Sequence, residues 1–286
     1  MDRQHGTVKL PSGEAVPRLG QGTWYMGDDG GAREQEIRTL RTGLDLGLTL
    51  IDTAEMYGDG RAEELVGEAI AGRRDEVFLV SKVLPSNASA RGTSQALAAS
   101  LKRLRTDYLD LYLLHWRGGI PLAESIGALQ ALAGAGKIRH WGVSNLDTDD
   151  LRELDTVPHA GQLQTDQLLY NLSRRGIEYD LLPMLAERNV PVMAYSPIEQ
   201  GRLLAHAELR RIAAEHPVGE NAAVAAQIAL AWLLRRPDVI AIPKASSVEH
   251  IRQNHAAQDI ELSGEELAAL DAAFPPPVQA EPLEML

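Results

Sequence analysis

Apolar runs of β type alternate with segments of helical period along almost the whole chain. After a short strand pair around the turn Pro11-Ser12-Gly13, the apolar runs predict strands at Gly20–Trp24, Leu48–Asp52, Val77–Lys82, Leu109–His115, Ile138–Ser144, Gln162–Gln167, Val190–Tyr195 and Val239–Pro243. The helical-period segments predict helices at Glu34–Leu46, Ala62–Ile70, Thr93–Leu104, Leu122–Ala135, Asp147–Leu154, Asp180–Glu187, Ala222–Leu234 and Val248–Gln258. A further helix, Glu208–His216, interrupts the seventh β/α unit, and a last one, Ser263–Phe274, precedes the proline-rich stretch Pro275–Pro277.

Strand runs such as Val77–Val80 and Leu109–Leu114 are apolar with little alternation. That suits a parallel sheet with helices on one face and a filled core on the other. Eight such units in series close naturally into a barrel, whereas an open doubly wound sheet would carry a nucleotide loop after its first strand. Gly20-Gln21-Gly22 begins like that loop, but its sixth position is Tyr25, and no P-loop occurs. The expected architecture is a single (β/α)8 TIM barrel over residues 1–286, with an N-terminal β-hairpin and an extra C-terminal helix. At 286 residues the chain is somewhat longer than a typical barrel of about 250.

Composition narrows the chemistry. Hydrophobic residues make up 44% and charged residues 24%, with no apolar run long enough for a membrane span. Met1 to Leu10 lacks an apolar export segment, and a cytoplasmic location is expected. The absence of cysteine excludes disulfides, thiolate metal sites and a catalytic thiol. No His-rich metal motif or G-x-S-x-G nucleophile turn occurs either, so no metal is expected. A formal net charge of −12 opposes partnership with nucleic acid or an anionic membrane. The expected partner is a small molecule. Nothing fixes the oligomeric state, and a monomer is the default expectation.

In a barrel the loops after the strands converge on one rim, so strand C-termini are where chemistry gathers. Those ends read Thr23 and Trp24, Asp52, Lys82, His115, Ser144 and Asn145, Gln167, Tyr195 and Ser196, and Lys244. Taken singly, each has an ordinary reading: Asp52 as a turn cap, Lys82 as a solvated cation, His115 as a core histidine. As a set they match a definite need. Carbonyl reduction requires a hydride and a proton for the oxygen as it becomes negative. A tyrosine hydroxyl, with a reference pKa of about 10, is a poor acid unless a nearby ammonium favours the phenolate. Asp52, Tyr57 and Lys82 supply the carboxylate, the phenol and the ammonium from neighbouring strands, and His115 could orient the oxygen.

These residues resemble the aldo-keto reductase family, from about Val8 to Phe274, and look closest to its methylglyoxal-reductase-like bacterial members. The segment Gly47-Leu48-Thr49-Leu50-Ile51-Asp52-Thr53-Ala54-Glu55-Met56-Tyr57-Gly58 is similar to the one carrying the family's aspartate and tyrosine. Val80-Ser81-Lys82 and Leu113-Leu114-His115-Trp116 resemble those carrying its lysine and histidine, and Gly142-Val143-Ser144-Asn145, Ala194-Tyr195-Ser196-Pro197 and Ala241-Ile242-Pro243-Lys244 its cofactor segments.

The resemblance implies an NADPH-dependent reductase of small aldehydes and ketones, with NADH as a poorer cofactor. It makes Tyr57 the proton donor, Lys82 and Asp52 its tuning pair and His115 the orienting group. Ser144, Asn145 and Gln167 would hold the nicotinamide carboxamide, and Tyr195 would stack on the ring. Gly22, Thr23, Asp52, Ser196, Pro197, Ile198, Gly201 and Arg202 would complete the cofactor groove. Lys244, Ala245, Ser246, His250, Gln253 and Asn254 would meet the adenosine end. Trp24, Met56, Tyr57, His115 and Trp116 would form the substrate pocket. The chain departs from the family at Leu48, Leu146, Ala245 and His250, the last standing where a phosphate-binding arginine is expected. The alternative is a catalytically weak, cofactor-binding regulatory or redox-sensing barrel. Little chain follows Phe274, so an open, permissive pocket is expected.

Overall fold

The structure, a computed structural model, describes residues 6–218 and 221–286. Residues 1–5, part of the stretch read for an export segment, lie outside the described residues. The strands are β1 (Thr7–Lys9), β2 (Ala15–Pro17), β3 (Gln21–Gly22), β4 (Leu50–Asp52), β5 (Phe78–Val83), β6 (Leu109–Leu114), β7 (Ile138–Ser144), β8 (Asp166–Leu169), β9 (Val192–Tyr195), β10 (Pro217–Val218), β11 (Asn221–Ala222) and β12 (Val239–Ala241). Eight of them form one parallel sheet in the order β12-β9-β8-β7-β6-β5-β4-β3. Parallel bridges Leu19–Ala241 and Gly22–Lys244 join its two ends, so the sheet closes on itself as expected for a (β/α)8 barrel. The seam depends on glycine. A Cβ at Gly20 would lie 2.6 Å from Leu50 Cδ2, and one at Gly22 would lie 2.6 Å from Ile242 O.

Two apolar shells hold the barrel. Inside it, Leu50, Phe78, Val80, Leu111, Leu113, Met193, Ile240 and Ile242 pack together, and Val8, Leu10 and Val16 of the β1–β2 hairpin join the same cluster. The hairpin thus plugs the barrel. Outside the strands, residues such as Ile51, Leu79, Tyr112, Val143 and Leu168 pack against helix residues Leu44, Leu65, Leu97 and Leu129. Truncating a fully buried leucine of either shell to alanine costs about 2–5 kcal/mol.

Local differences from the sequence reading have local causes. The helix expected from Thr93 begins at Ala90, because Ser89 caps it by accepting from Gly92 N at 3.1 Å. Gly92 looks like a breaker but occupies the first turn, where helical strain matters least. The strand expected at Gln162–Gln167 forms at Asp166–Leu169, since Leu168 and Leu169 pair with Ala194 and Tyr195 while residues 160–162 make a 3-10 turn. The antiparallel pair β10–β11 was not expected. Among the described residues, no helix is long and apolar enough to cross a membrane.

Candidate active site

Alternate residues of a strand share a face, and this decides which side chains reach the barrel mouth. The apolar inner positions are followed, two residues on, by polar ones: Leu50 by Asp52, Val80 by Lys82, Leu113 by His115 and Met193 by Tyr195. Gly142 and Ser144 follow the same spacing, the glycine because its Cβ would meet Leu113 Cδ2 at 2.7 Å.

Lys82 has no exposed surface. Its ammonium donates to Asp52 Oδ1 at 2.7 Å, to Thr53 O at 2.8 Å and to Tyr57 OH at 3.1 Å, which uses every proton it has. Gln167 Nε2 donates to the other Asp52 oxygen at 2.8 Å. Tyr57 opens the turn Tyr57–Gly60, in which Gly58, Asp59 and Gly60 have φ of 57°, 52° and 91°. That left-handed run turns the chain sharply from β4 into the helix Arg61–Ala69 and leaves the phenol over the Lys82 ammonium.

Burial dominates the electrostatics of this cluster. It pushes the Asp52 carboxyl up, with the Lys82 ammonium pulling it back. Burial alone would lower Lys82, but Asp52 and Tyr57 together overcome it, so the ammonium is held above its ordinary value. Burial also raises the Tyr57 phenol, although Lys82 draws it down, so at rest the hydroxyl keeps its proton. The sequence reading had the ammonium lowering this phenol; desolvation outweighs it. His115 packs edge-on to Tyr57 at 5.9 Å, and burial, reinforced by the Lys82 charge, lowers its imidazole to about 2. The ring is neutral at any working pH.

A second hydrogen-bonded chain runs alongside. Tyr195 OH donates to Asn145 Oδ1 at 3.0 Å, Asn145 Nδ2 donates to Ser144 Oγ at 3.0 Å and to His115 O at 3.2 Å, and Ser144 Oγ donates to Gln167 O at 2.8 Å. Through Gln167 this platform is tied to Asp52, Lys82 and Tyr57. A cavity of about 360 Å³ is lined by Trp24, Met56, Tyr57, His115, Trp116, Ser144, Asn145, Gln167 and Tyr195, all named from the sequence. It is also lined by Met285 and Leu286, which were not. The expectation that little chain covers the mouth fails here. Residues 275–286 carry no helix or strand and in extended form span ~40 Å. Arg174 pairs with Glu284, and Leu283 packs on the core, which brings the last residues back over the cavity.

At the same rim, Ile198, Lys244, His250, Gln253 and Asn254 line a second cavity of about 480 Å³. Lys244 Nζ donates to Ser246 Oγ at 2.7 Å, and Ala245 is buried beside it. Among the described residues that line this cavity there is no carboxylate. A mostly apolar hollow that carries a few basic and amide groups could take a phosphorylated adenosine, and the first cavity, with its amides and aromatic ring, could take a nicotinamide. Thr23 Oγ1 donates to Asp52 O at 2.9 Å, and Ser196 O accepts from Asn171 Nδ2 at 2.9 Å. Pro197 follows, and Gly201, at φ 86°, turns the loop Glu199–Ala205. Arg202 is not brought into either cavity; its guanidinium is paired with Glu199 at 3.0 Å.

Residues 18–274 match the model of the Aldo/keto reductase family. The chain belongs to this family. Over 99% of its length this aldo-keto reductase is 50% identical to methylglyoxal reductase YeaE of Escherichia coli strain K12, all of which is covered. It is also similar to two crystal structures of aldo-keto reductase from Klebsiella pneumoniae. One, in complex with NADP and acetate, has a TM-score of 0.94 and 52% identity, covering 98% of this chain and 99% of that one. The other, in complex with NADPH, has a TM-score of 0.95 and 51% identity, covering 99% and 100%. The aldo-keto reductase is thereby an NAD(P)H-dependent oxidoreductase.

Three site features of this aldo-keto reductase escaped the sequence reading: the Thr53 carbonyl under Lys82, the tail residues Met285 and Leu286, and Arg210, which lines the second cavity. Backbone acceptors and a returning tail leave no sequence signal. Arg210 did leave one, since the acidic partners of Arg211 have no counterpart around it.

Proposed function

We propose that the protein reduces small aldehydes and ketones to alcohols, 2-oxoaldehydes such as methylglyoxal and aromatic aldehydes among them. NADPH is the preferred cofactor, NADH a poorer one, and Tyr57 the proton donor. The observation that carries this reading is the fully committed Lys82 ammonium, 3.1 Å from the Tyr57 hydroxyl, with Tyr57 and a neutral His115 both lining the cavity.

When bound, the nicotinamide supplies the hydride. Ser144, Asn145 and the amide oxygen of Gln167 would hold its carboxamide, with Tyr195 along the ring. As the carbonyl oxygen gains charge it draws the proton from Tyr57 OH, and the phenolate left behind faces Lys82 at hydrogen-bond distance. That attraction is stronger in a buried site than in water, and Asp52 keeps the ammonium from turning away. A neutral His115 can donate a ring N–H to the same oxygen without releasing a proton of its own. Trp24, Met56 and Trp116 narrow the approach to the reacting carbon, and Met285 and Leu286 close it further.

A panel of carbonyls assayed by loss of NADPH absorbance tests the proposal. Methylglyoxal and a nitrobenzaldehyde should show higher kcat/KM than a steroid or long-chain ketone. The reverse order overturns the substrate class, and no turnover with any aldehyde overturns the reductase reading in favour of a regulatory barrel.

A further inference from the structure

The second cavity contains a cation that the resemblance does not supply. Arg210 lies on the helix Ala207–Glu215, and its Nε donates to Leu204 O at 2.9 Å. Its neighbours one helical turn away are His206, Ala207, Ala213 and Ala214, none acidic. Adjacent Arg211, in contrast, is bonded to Glu208 at 2.7 Å and to Glu215 at 2.7 Å. Among the described residues the terminal amino groups of Arg210 have no hydrogen-bond partner, and the side chain borders the same hollow as Lys244 and His250. The Arg210 and Lys244 charges, gathered in one hollow whose described lining has no carboxylate, repel one another, and an anion between them relieves the repulsion.

We infer that Arg210 is a ligand of the 2′-phosphate of NADPH, reaching it from the helix Ala207–Glu215 and replacing the arginine that position 250 lacks. This rests on the proposed NADPH preference. The Leu204 carbonyl fixes the guanidinium through Nε, which leaves its two terminal nitrogens as a planar fork for two phosphate oxygens. A lysine at 210 would keep the charge but lose the fork. The departure at His250 therefore moves the second phosphate contact from one helix to another rather than deleting it.

The test is calorimetric titration of the full-length apoprotein with 2′,5′-ADP and with 5′-AMP, which differ only in the phosphate in question. Arg210→Ala should weaken 2′,5′-ADP about ten- to a hundredfold and change 5′-AMP by less than about twofold. Arg210→Lys should recover part of the loss. Equal weakening of both nucleotides would mean that Arg210 acts through the Leu204 loop, and unchanged affinity for both that it is merely solvated; either overturns the assignment. Wild-type protein that binds 2′,5′-ADP no more tightly than 5′-AMP would overturn the NADPH preference itself. An unaltered melting temperature in Arg210→Ala shows that the fold is not the cause.

Discussion

The two ends of the barrel rim treat charge in opposite ways. At the catalytic end Lys82 and Asp52 are buried, and every proton of the ammonium is spent on the protein. At the proposed adenosine end Arg210 is exposed, and the described residues lining its cavity offer no carboxylate. Burying an ion costs several kcal/mol unless partners inside the protein repay it, so the catalytic charges must be satisfied before any ligand arrives. Exposed cations remain hydrated at little cost and can wait for a ligand to pair them. On the proposed function, one end holds a proton in place and the other recognises an anion.

The largest break in that contrast is a change that deletes chemistry without touching charge. Tyr57→Phe should lower kcat by about 10²–10⁴ while NADPH affinity stays within a few-fold, because only the acidic hydroxyl is lost. Single-turnover rates and a cofactor titration measure the two, and near-wild-type kcat would mean that the proton comes from elsewhere. Lys82→Met should lose turnover to a similar degree and also destabilise the fold by about 3–5 kcal/mol, since it strands Asp52 without its cation. Adding Asp52→Asn should return part of the stability and none of the activity. Equal recovery of both in urea melts and rate assays would contradict a separate catalytic role for the pair.

At the other end effects should be smaller and confined to affinity. His250→Arg adds an exposed fork beside Lys244 and should raise the NADPH/NADH ratio of kcat/KM about three- to tenfold. Melting temperature and kcat at saturating NADPH should stay unchanged. A ratio that does not move means that position 250 does not face the phosphate.

The same contrast explains what was legible in the sequence. The catalytic end could be read because its strand-borne groups close apolar runs at the period of a strand, so Asp52, Lys82, His115 and Tyr195 announce their face and their end of the barrel, while Tyr57 follows in the loop after β4. Their electrostatics could not be read: whether an ammonium or desolvation wins at Tyr57 depends on how deeply the phenol is buried, which no spacing encodes. The adenosine end was legible only in part. Lys244 ends a strand, but Arg210 projects from a helix whose approach to the rim depends on tertiary packing. The tail was misjudged for a related reason. A proline-rich stretch without periodicity has reach but no encoded direction, and the Arg174–Glu284 pair that gives it one joins residues far apart in the chain.

The smallest effect we expect concerns pH, and it separates a buried neutral group from an exposed one. His115 has a folded-state pKa of about 2, held there by burial and the Lys82 charge. An unfolded histidine titrates near 6.5, so below that value the unfolded chain takes up a proton that the folded site refuses. The stability this neutral ring contributes is therefore complete above about pH 6.5 and is lost as pH falls below it. From pH 7 to 5.5 the loss from this one group should be about 1 kcal/mol. Urea midpoints of wild type and His115→Gln at the two pH values isolate it, because other titrating groups contribute equally to both. Wild type should lose more stability on acidification than the variant. Equal losses would mean that the ring accepts a proton in the folded protein, and His115 could then no longer be treated as a neutral donor to the carbonyl oxygen.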